Sequence, residues 1–213
     1  MLRALIRAAI PEAIRVRLRP YLRLRPYQMP DISQEQWDQE YRDGRWSYLY
    51  NDRELAHYSV IVGYYMHYRP GGSLLDVGCG EAVLQRRLRT FGYARYLGID
   101  KSQEAIARAQ SERDARTEFH CADAETFTPQ DRYDVIVYNE ILYYLKDPMG
   151  VVRRLSRALN PGGISIVSMF RGASSSIPVW QSIETTMRIA DGVTVTHPSV
   201  GSWDIKVIRS EPI

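Results

Sequence analysis

The sequence predicts a doubly wound α/β domain, a mostly parallel seven-stranded sheet with an antiparallel terminal hairpin and a helical N-terminal extension. Three observations predict it. From residue 73 onward, apolar runs of strand length alternate with helical patterns, an arrangement that right-handed crossovers turn into a parallel sheet. The first run leads into a glycine turn, in Leu74-Leu75-Asp76-Val77-Gly78-Cys79-Gly80-Glu81-Ala82. The last two runs, 193–196 and 204–208, lie too close together for a crossover helix, so they pair antiparallel.

Taken in order, residues 1–30 form a basic amphipathic extension. Leu2, Leu5, Ile6, Ala9 and Ile10 recur at helical spacing, and residues 1–26 hold seven arginines against the single acid Glu12. That segment carries +6, so with a net charge of +3 the rest of the chain is mildly acidic. A nucleic-acid partner is not expected, because a binding groove would draw its basic residues from the folded body. The extension suits an interfacial helix on anionic lipid or a docking helix for a partner; equally, it packs on its own domain or frays. Residues 31–70 form an aromatic-rich helical cap. Ser33 or Asp31 is placed to cap a short helix through Trp37 and Tyr41, and a longer helix runs from Arg53 to Tyr68. As a group, the tryptophans and tyrosines between Trp37 and Tyr68 suit the cover of a pocket, although helix-on-sheet packing accounts for any one of them.

Residues 71–213 form the main domain. Its strands are expected at 73–77, 95–99, 117–121, 134–138 and 164–169, then 193–196 and 204–208, with helices at 81–90, 102–113, 148–159 and 177–189. An apolar content of 45% with 25% charged residues excludes disorder throughout. No stretch reaches the roughly 18 apolar residues of a membrane span. Cys79 and Cys121 read as small buried residues of a reducing compartment, so a cytoplasmic chain is expected, with peripheral membrane contact through residues 1–26 if that helix meets lipid.

A glycine turn after a first strand usually cradles a dinucleotide pyrophosphate. Here Val83 stands at the third glycine position, where its bulk hinders helix packing, and Asp76 would repel phosphate. The carboxylate favours a ligand with a positive end. Asp76-x-Gly78-x-Gly80-x-Ala82 resembles the acidic-x-Gly-x-Gly-x-Gly motif of class I S-adenosylmethionine-dependent methyltransferases, with alanine in the last place. Three further stretches resemble that family in order: Tyr96-Leu97-Gly98-Ile99-Asp100, Cys121-Ala122-Asp123-Ala124 and Tyr133 to Glu140. Leu159-Asn160-Pro161-Gly162-Gly163 matches its turn before the fifth strand. The resemblance implies the Rossmann-like methyltransferase fold and S-adenosyl-L-methionine as cofactor. It assigns cofactor contacts to Asp76, Gly78, Cys79 and Gly80 at the turn, and to Asp100 and Lys101 at the ribose. Asp123 and Ala124 then fall at the adenine, and Asn139 at the fourth strand end. Read alone, Asp100 is a helix cap and Asp123 a turn residue.

Transfer from a sulfonium needs alignment and exclusion of water, and a base only for a poorly acidic nucleophile or a protonated amine. The catalytic candidates are Glu140, Tyr143, Tyr144 and His197, the last of which equally reads as a surface turn histidine; His120 reads as packed. Asn139 is followed by Glu140-Ile141, unlike the Pro-Pro-aromatic motif of enzymes that methylate nucleic-acid amino groups, and Asn139 weakens a metal-binding acid cluster. No metal is expected. Glu140 to Leu145 is similar to a segment of nodulation N-methyltransferases, which act on chitooligosaccharide amines. Methyl transfer to an O or N atom of a small molecule is therefore expected, with a sugar, glycan precursor or secondary metabolite as acceptor. A non-catalytic cofactor- or partner-binding protein and a nicotinamide-dependent oxidoreductase are the alternatives.

Overall fold

A computed structural model describes residues 32–212. The basic extension at residues 1–30 lies outside the described residues. Seven strands form one sheet in the order β3-β2-β1-β4-β5-β7-β6. They are β1 (Leu74–Val77), β2 (Tyr96–Asp100), β3 (Thr117–Cys121), β4 (Tyr133–Asn139), β5 (Leu159–Phe170), β6 (Met187–His197) and β7 (Gly201–Pro212). β1 to β5 pair in parallel, and β7 runs antiparallel to both β5 and β6. The expected hairpin is present, with β7 lying between β5 and its own partner.

All four residues of β1 are buried, as expected of a strand covered on both faces. Successive side chains then serve opposite cores. Leu74, Val135 and Val137 pack with α2 (Leu55–Tyr68) and α3 (Val83–Leu88), whereas Leu75, Ile136 and Tyr138 pack with α5 (Pro148–Ser156) and α6 (Ser176–Thr186). Asp76 falls on the α2 side of this alternation, a polar group in an apolar layer.

Several expected boundaries move, two of them for a plain reason. The helix expected from residue 81 begins at Val83, because Ala82 takes the left-handed conformation at φ 65°. The helix expected to reach 189 ends at Thr186, because Arg188 and Ile189 pair with Arg209 and Ile208 of β7. Sheet pairing there outweighs the local helical pattern. Cys121 and His120 are exposed, not packed. Both lie on β3, an edge strand whose burial alternates, so the end of this apolar run faces solvent.

The cap begins with α1 (Gln34–Arg42), where Ser33 forms a full capping box: its hydroxyl accepts from the Gln36 amide at 3.2 Å and its own amide donates to Gln36 Oε1 at 2.8 Å. Two short 3₁₀ turns, Ser47–Tyr50 and Asp52–Glu54, lead to α2. Asp38 ties α1 to the main domain: its Oδ1 accepts from the Ser102 hydroxyl at 2.6 Å and from the Glu104 amide at 3.1 Å, at the start of α4 (Gln103–Ala109). Burial opposes its charge, yet these donors hold the carboxyl below its ordinary range. Asp38→Ala leaves those donors without their acceptor at a cost of about 1–3 kcal/mol. Faster tryptic cleavage between residues 42 and 53, with a lower urea midpoint, is the expected result.

Candidate active site

β1 and β4 are neighbours, yet the chain leaves them in opposite directions, toward β2 and toward β5. Such a reversal opens a crevice at the carboxyl ends of the strands, where open α/β sheets bind ligands. The crevice here is a cavity of about 750 Å³. That lies within the ~300–1,000 Å³ common for small-molecule pockets.

The glycine turn forms one wall. Gly78 and Gly80 have φ of 73° and 53°, the left-handed region that side chains disfavour. The space is also taken: a Cβ on Gly78 would sit 3.0 Å from the Ile141 side chain, and one on Gly80 2.9 Å from the Tyr41 hydroxyl. The cap thus presses directly on the turn. Cys79 is buried beneath it, and burial pushes its thiol well above the ordinary range, which makes it an inert packing group.

Three acids flank the turn. Asp76 is 2% exposed; its Oδ2 accepts from the Tyr96 hydroxyl, while Oδ1 is buried with no hydrogen-bond partner among the described residues. Burial raises this carboxyl to about 7. An unpartnered buried carboxylate oxygen facing a cavity calls for a cationic or N–H donor. Asp100, pushed by burial to about 6, accepts from the Gly80 amide and the Ser102 amide, each at 2.9 Å. The cap of α4 is Ser102 itself, whose hydroxyl accepts from Ala105 at 3.1 Å, so Asp100 braces the glycine turn instead. Asp123 pairs with Lys101 at 3.1 Å and closes its own turn through the Glu125 amide at 2.9 Å. Lys101, Asp123 and Ala124 all line the cavity, as does Asn139, whose Oδ1 is buried without a partner.

The opposite end is built around Glu140. Its φ of 59° is unusual for a residue with a side chain, a strained conformation of the kind that gathers at functional sites. Its carboxylate accepts from the Tyr143 hydroxyl at 2.6 Å and the Phe170 amide at 3.1 Å, with the Ser168 hydroxyl at 3.4 Å. Burial nevertheless pushes it up to about 8. Tyr144 meets Trp37 edge-on at 5.2 Å and Trp46 at 6.5 Å. The aromatic cap divides along its length: Trp37, Tyr41, Trp46, Tyr48, Tyr50 and Tyr58 line the cavity. Tyr65 belongs to the core, its hydroxyl donating to Gly72 at 2.9 Å and Gly92 at 3.1 Å.

His197 does not belong to this group. It sits at the β6–β7 turn, where Nδ1 accepts from the Ser199 amide at 3.2 Å, and it is not among the lining residues. The hairpin holds it at the turn itself, so the surface-turn alternative stands. Glu54, by contrast, lines the cavity at 4% exposure and has no counterpart in the sequence reading. It lies in a polar stretch that reads as a helix entry, and nothing in its spacing singles it out. Its nearest charged-type neighbour is His57 at 3.5 Å, but burial lowers that imidazole to about 3, leaving it neutral.

These carboxyls make stability depend on pH. Asp76, Asp100 and Glu140 have folded values above their unfolded ones, so their contribution is complete only below about pH 4 and is lost as pH rises from there through about 6 to 8. His57 opposes them only below about pH 6.5, and the lowered acids Asp38, Asp114 and Asp134 act below about pH 4. Without ligand, the melting temperature is expected to be lower at pH 8 than at pH 5.5 by at least ~5 °C. Calorimetry checks this, and a flat profile would contradict it.

A sheet whose last strand inserts antiparallel, with an acid-flanked glycine turn at the switch point, defines a methyltransferase-type α/β domain. The chain belongs to the methyltransferase-domain family, whose model matches residues 69–203. Among curated relatives it is 31% identical over 101 residues to a ubiquinone biosynthesis O-methyltransferase of Bradyrhizobium diazoefficiens, covering 46% of this chain and 40% of the relative. It is 30% identical over 131 residues to the 27-O-demethylrifamycin SV methyltransferase of Amycolatopsis mediterranei, covering 59% and 48%. The chain therefore spans less than half the length of both. Two solved structures share the fold. The N-methyltransferase NodS of Bradyrhizobium japonicum, in complex with S-adenosyl-L-homocysteine, has a TM-score of 0.67 at 21% identity, covering 77% of this chain and 90% of that one. The 1,6-didemethyltoxoflavin-N1-methyltransferase of Burkholderia thailandensis scores 0.68 at 18% identity, covering 86% and 93%.

Proposed function

We propose that the chain transfers a methyl group from S-adenosyl-L-methionine to an O or N atom of a small molecule, of the sugar, glycan-precursor or secondary-metabolite kind. The observation that carries this reading is the pair of unpartnered oxygens, Asp76 Oδ1 and Asn139 Oδ1, at the end of the cavity formed by the glycine turn. When bound, the cofactor supplies an activated methyl group on a sulfonium centre. Asp76 and Asn139 receive its amino group. Asp100 keeps lone pairs beyond those used by Gly80 and Ser102, and these accept from the ribose hydroxyls. Asp123 accepts from the adenine amino group, with Lys101 holding that carboxylate in place. Cys79 and Ala124 supply apolar wall, both being buried. The cap excludes water by closing Tyr41 over Gly80 and the ring of Tyr144 against Trp37 and Trp46. Tyr143 orients the Glu140 carboxyl beside the acceptor.

The names of the curated relatives refer to small-molecule acceptors, in line with this reading. Calorimetric titration tests it: S-adenosyl-L-homocysteine is expected to bind in one site per chain, and NAD in none. Binding of NAD in its place would replace this reading with that of an oxidoreductase. A peripheral membrane or partner contact through residues 1–26 is part of the proposal. Its test is liposome co-sedimentation with and without that segment, and unchanged sedimentation removes it.

A further inference from the structure

The acceptor end of the cavity holds more carboxyl groups than methyl transfer to a neutral hydroxyl requires. Glu54 and Glu140 enter from different elements, one from the turn before α2 and the other from the end of β4, and both line the same space. Glu54 is 4% exposed, and among the described residues its carboxylate has one close nitrogen, His57 Nδ1 at 3.5 Å, on an imidazole that burial keeps neutral. Arg87, which faces it electrostatically, is not among the lining residues. Among the described residues that line the cavity, Lys101 pairs with Asp123 at the other end, and the Lys146 backbone amide donates to Glu125 at 2.6 Å.

The remaining walls are aromatic. Trp46 stands 5.8 Å from Trp37, 6.1 Å from Tyr48 and 6.5 Å from Tyr144, ring centre to ring centre, so four rings border one space. Trp46 Nε1 is buried with no hydrogen-bond partner among the described residues. Ring faces attract cations, more strongly once water is excluded. Two buried carboxylates and four rings form a receptor for an ammonium group.

We propose, resting on the methyl-transfer reading above, that the acceptor is an alkylamine that enters as its ammonium ion between Glu140 and Glu54, and that Glu140 takes its proton. The lone pair so freed on nitrogen forms the new N–CH₃ bond. The methyl–sulfur bond breaks with its electron pair kept by sulfur, and the proton remains on Glu140 until product leaves. The environment of Glu140 suits this task. Burial and the facing Glu54 raise its affinity for a proton, while the Tyr143 hydroxyl, the Phe170 amide and the Ser168 hydroxyl work the other way. Tyr48, Tyr58 and Tyr144 face it as neutral phenols. An entering cation favours ionised Glu140, whose resting proton passes to solvent, so that the carboxylate is free to take the ammonium proton before transfer.

Two measurements test this. In wild-type protein saturated with S-adenosyl-L-homocysteine, tryptophan fluorescence is titrated with choline and with its neutral isostere 3,3-dimethylbutan-1-ol. Choline is expected to bind at least ~10-fold tighter. Equal binding, preference for the alcohol or no choline binding overturns the ammonium site, while absence of S-adenosyl-L-homocysteine binding overturns the methyl-transfer reading beneath it. The second measurement follows transfer to a panel of primary alkylamines by Glu140→Gln protein whose S-adenosyl-L-homocysteine affinity is unchanged. A loss of at least ~100-fold in kcat at pH 7.5 is expected, recovering toward pH 10 as free amine becomes available. An unaltered rate and pH profile, or faster transfer to matched alcohols, overturns the proposal.

Discussion

Asp100→Ala is expected to weaken S-adenosyl-L-homocysteine binding by at least ~100-fold. A carboxylate accepting two hydroxyl hydrogen bonds contributes about 1.5–3 kcal/mol through each. Losing both, about 3 kcal/mol or more, exceeds the ~2.8 kcal/mol that corresponds to a 100-fold change. The substitution also releases the Gly80 and Ser102 amides, each of which donates to Asp100 at 2.9 Å, so the glycine turn loses its brace. Asp100→Asn keeps one acceptor oxygen and is expected to fall between the two proteins. Calorimetric titration of all three checks the order, and equal affinities would remove Asp100 from the cofactor site.

The largest loss of stability is expected from Gly78→Val. Gly78 has φ of 73°, where a residue with a Cβ is strained by roughly 1–2 kcal/mol and a branched one by more. The new side chain also has nowhere to go, because a Cβ would sit 3.0 Å from Ile141. Overpacking of this kind typically costs another ~1–3 kcal/mol. Together these lower the melting temperature by roughly 10 °C for a domain of this size. Gly92→Val provides the control: φ there is 78°, but no neighbouring atom lies within 4 Å of the added Cβ. It is expected to show the backbone strain alone, hence a smaller shift. Equal shifts in the two variants would mean that Ile141 yields to the added side chain.

The sheet was legible in the sequence because parallel strands buried on both faces leave continuous apolar runs, as in Leu74 to Val77 and Val135 to Tyr138. The hairpin was legible from the short gap between runs, although β6 proved to begin six residues before Val193. What decides that start is pairing with β7, a contact distant in sequence that no local pattern encodes. The edge position of β3 was equally invisible. A run such as Thr117 to Cys121 reads the same whether its last residues meet a helix or solvent, and so Cys121 and His120 were expected inside.

The site divides in the same way. Asp76, Asp100 and Asp123 stand at or near strand ends in stretches that resemble motifs of the family, and that resemblance, not the local pattern of each acid, singled them out. Glu54 and Asp38 act through contacts across the fold, one lining the cavity from the cap and the other reaching α4, and neither carries a local signature. The division also explains why the glycine-turn end of the cavity was easier to read than the Glu140 end. The first is built by consecutive residues of β1, β2 and their turns. The second needs a cap, the end of β4 and the aromatic rings of three separate segments to meet.

Transfer of labelled methyl from S-adenosyl-L-methionine to a panel of alkylamines and matched alcohols tests the central claim most directly. The expected result is label on a small-molecule nitrogen or oxygen, lost together with cofactor binding in Asp100→Ala protein. Saturable S-adenosyl-L-methionine binding without label on any acceptor would contradict it, and would mark the chain as a cofactor-binding protein that carries out no transfer.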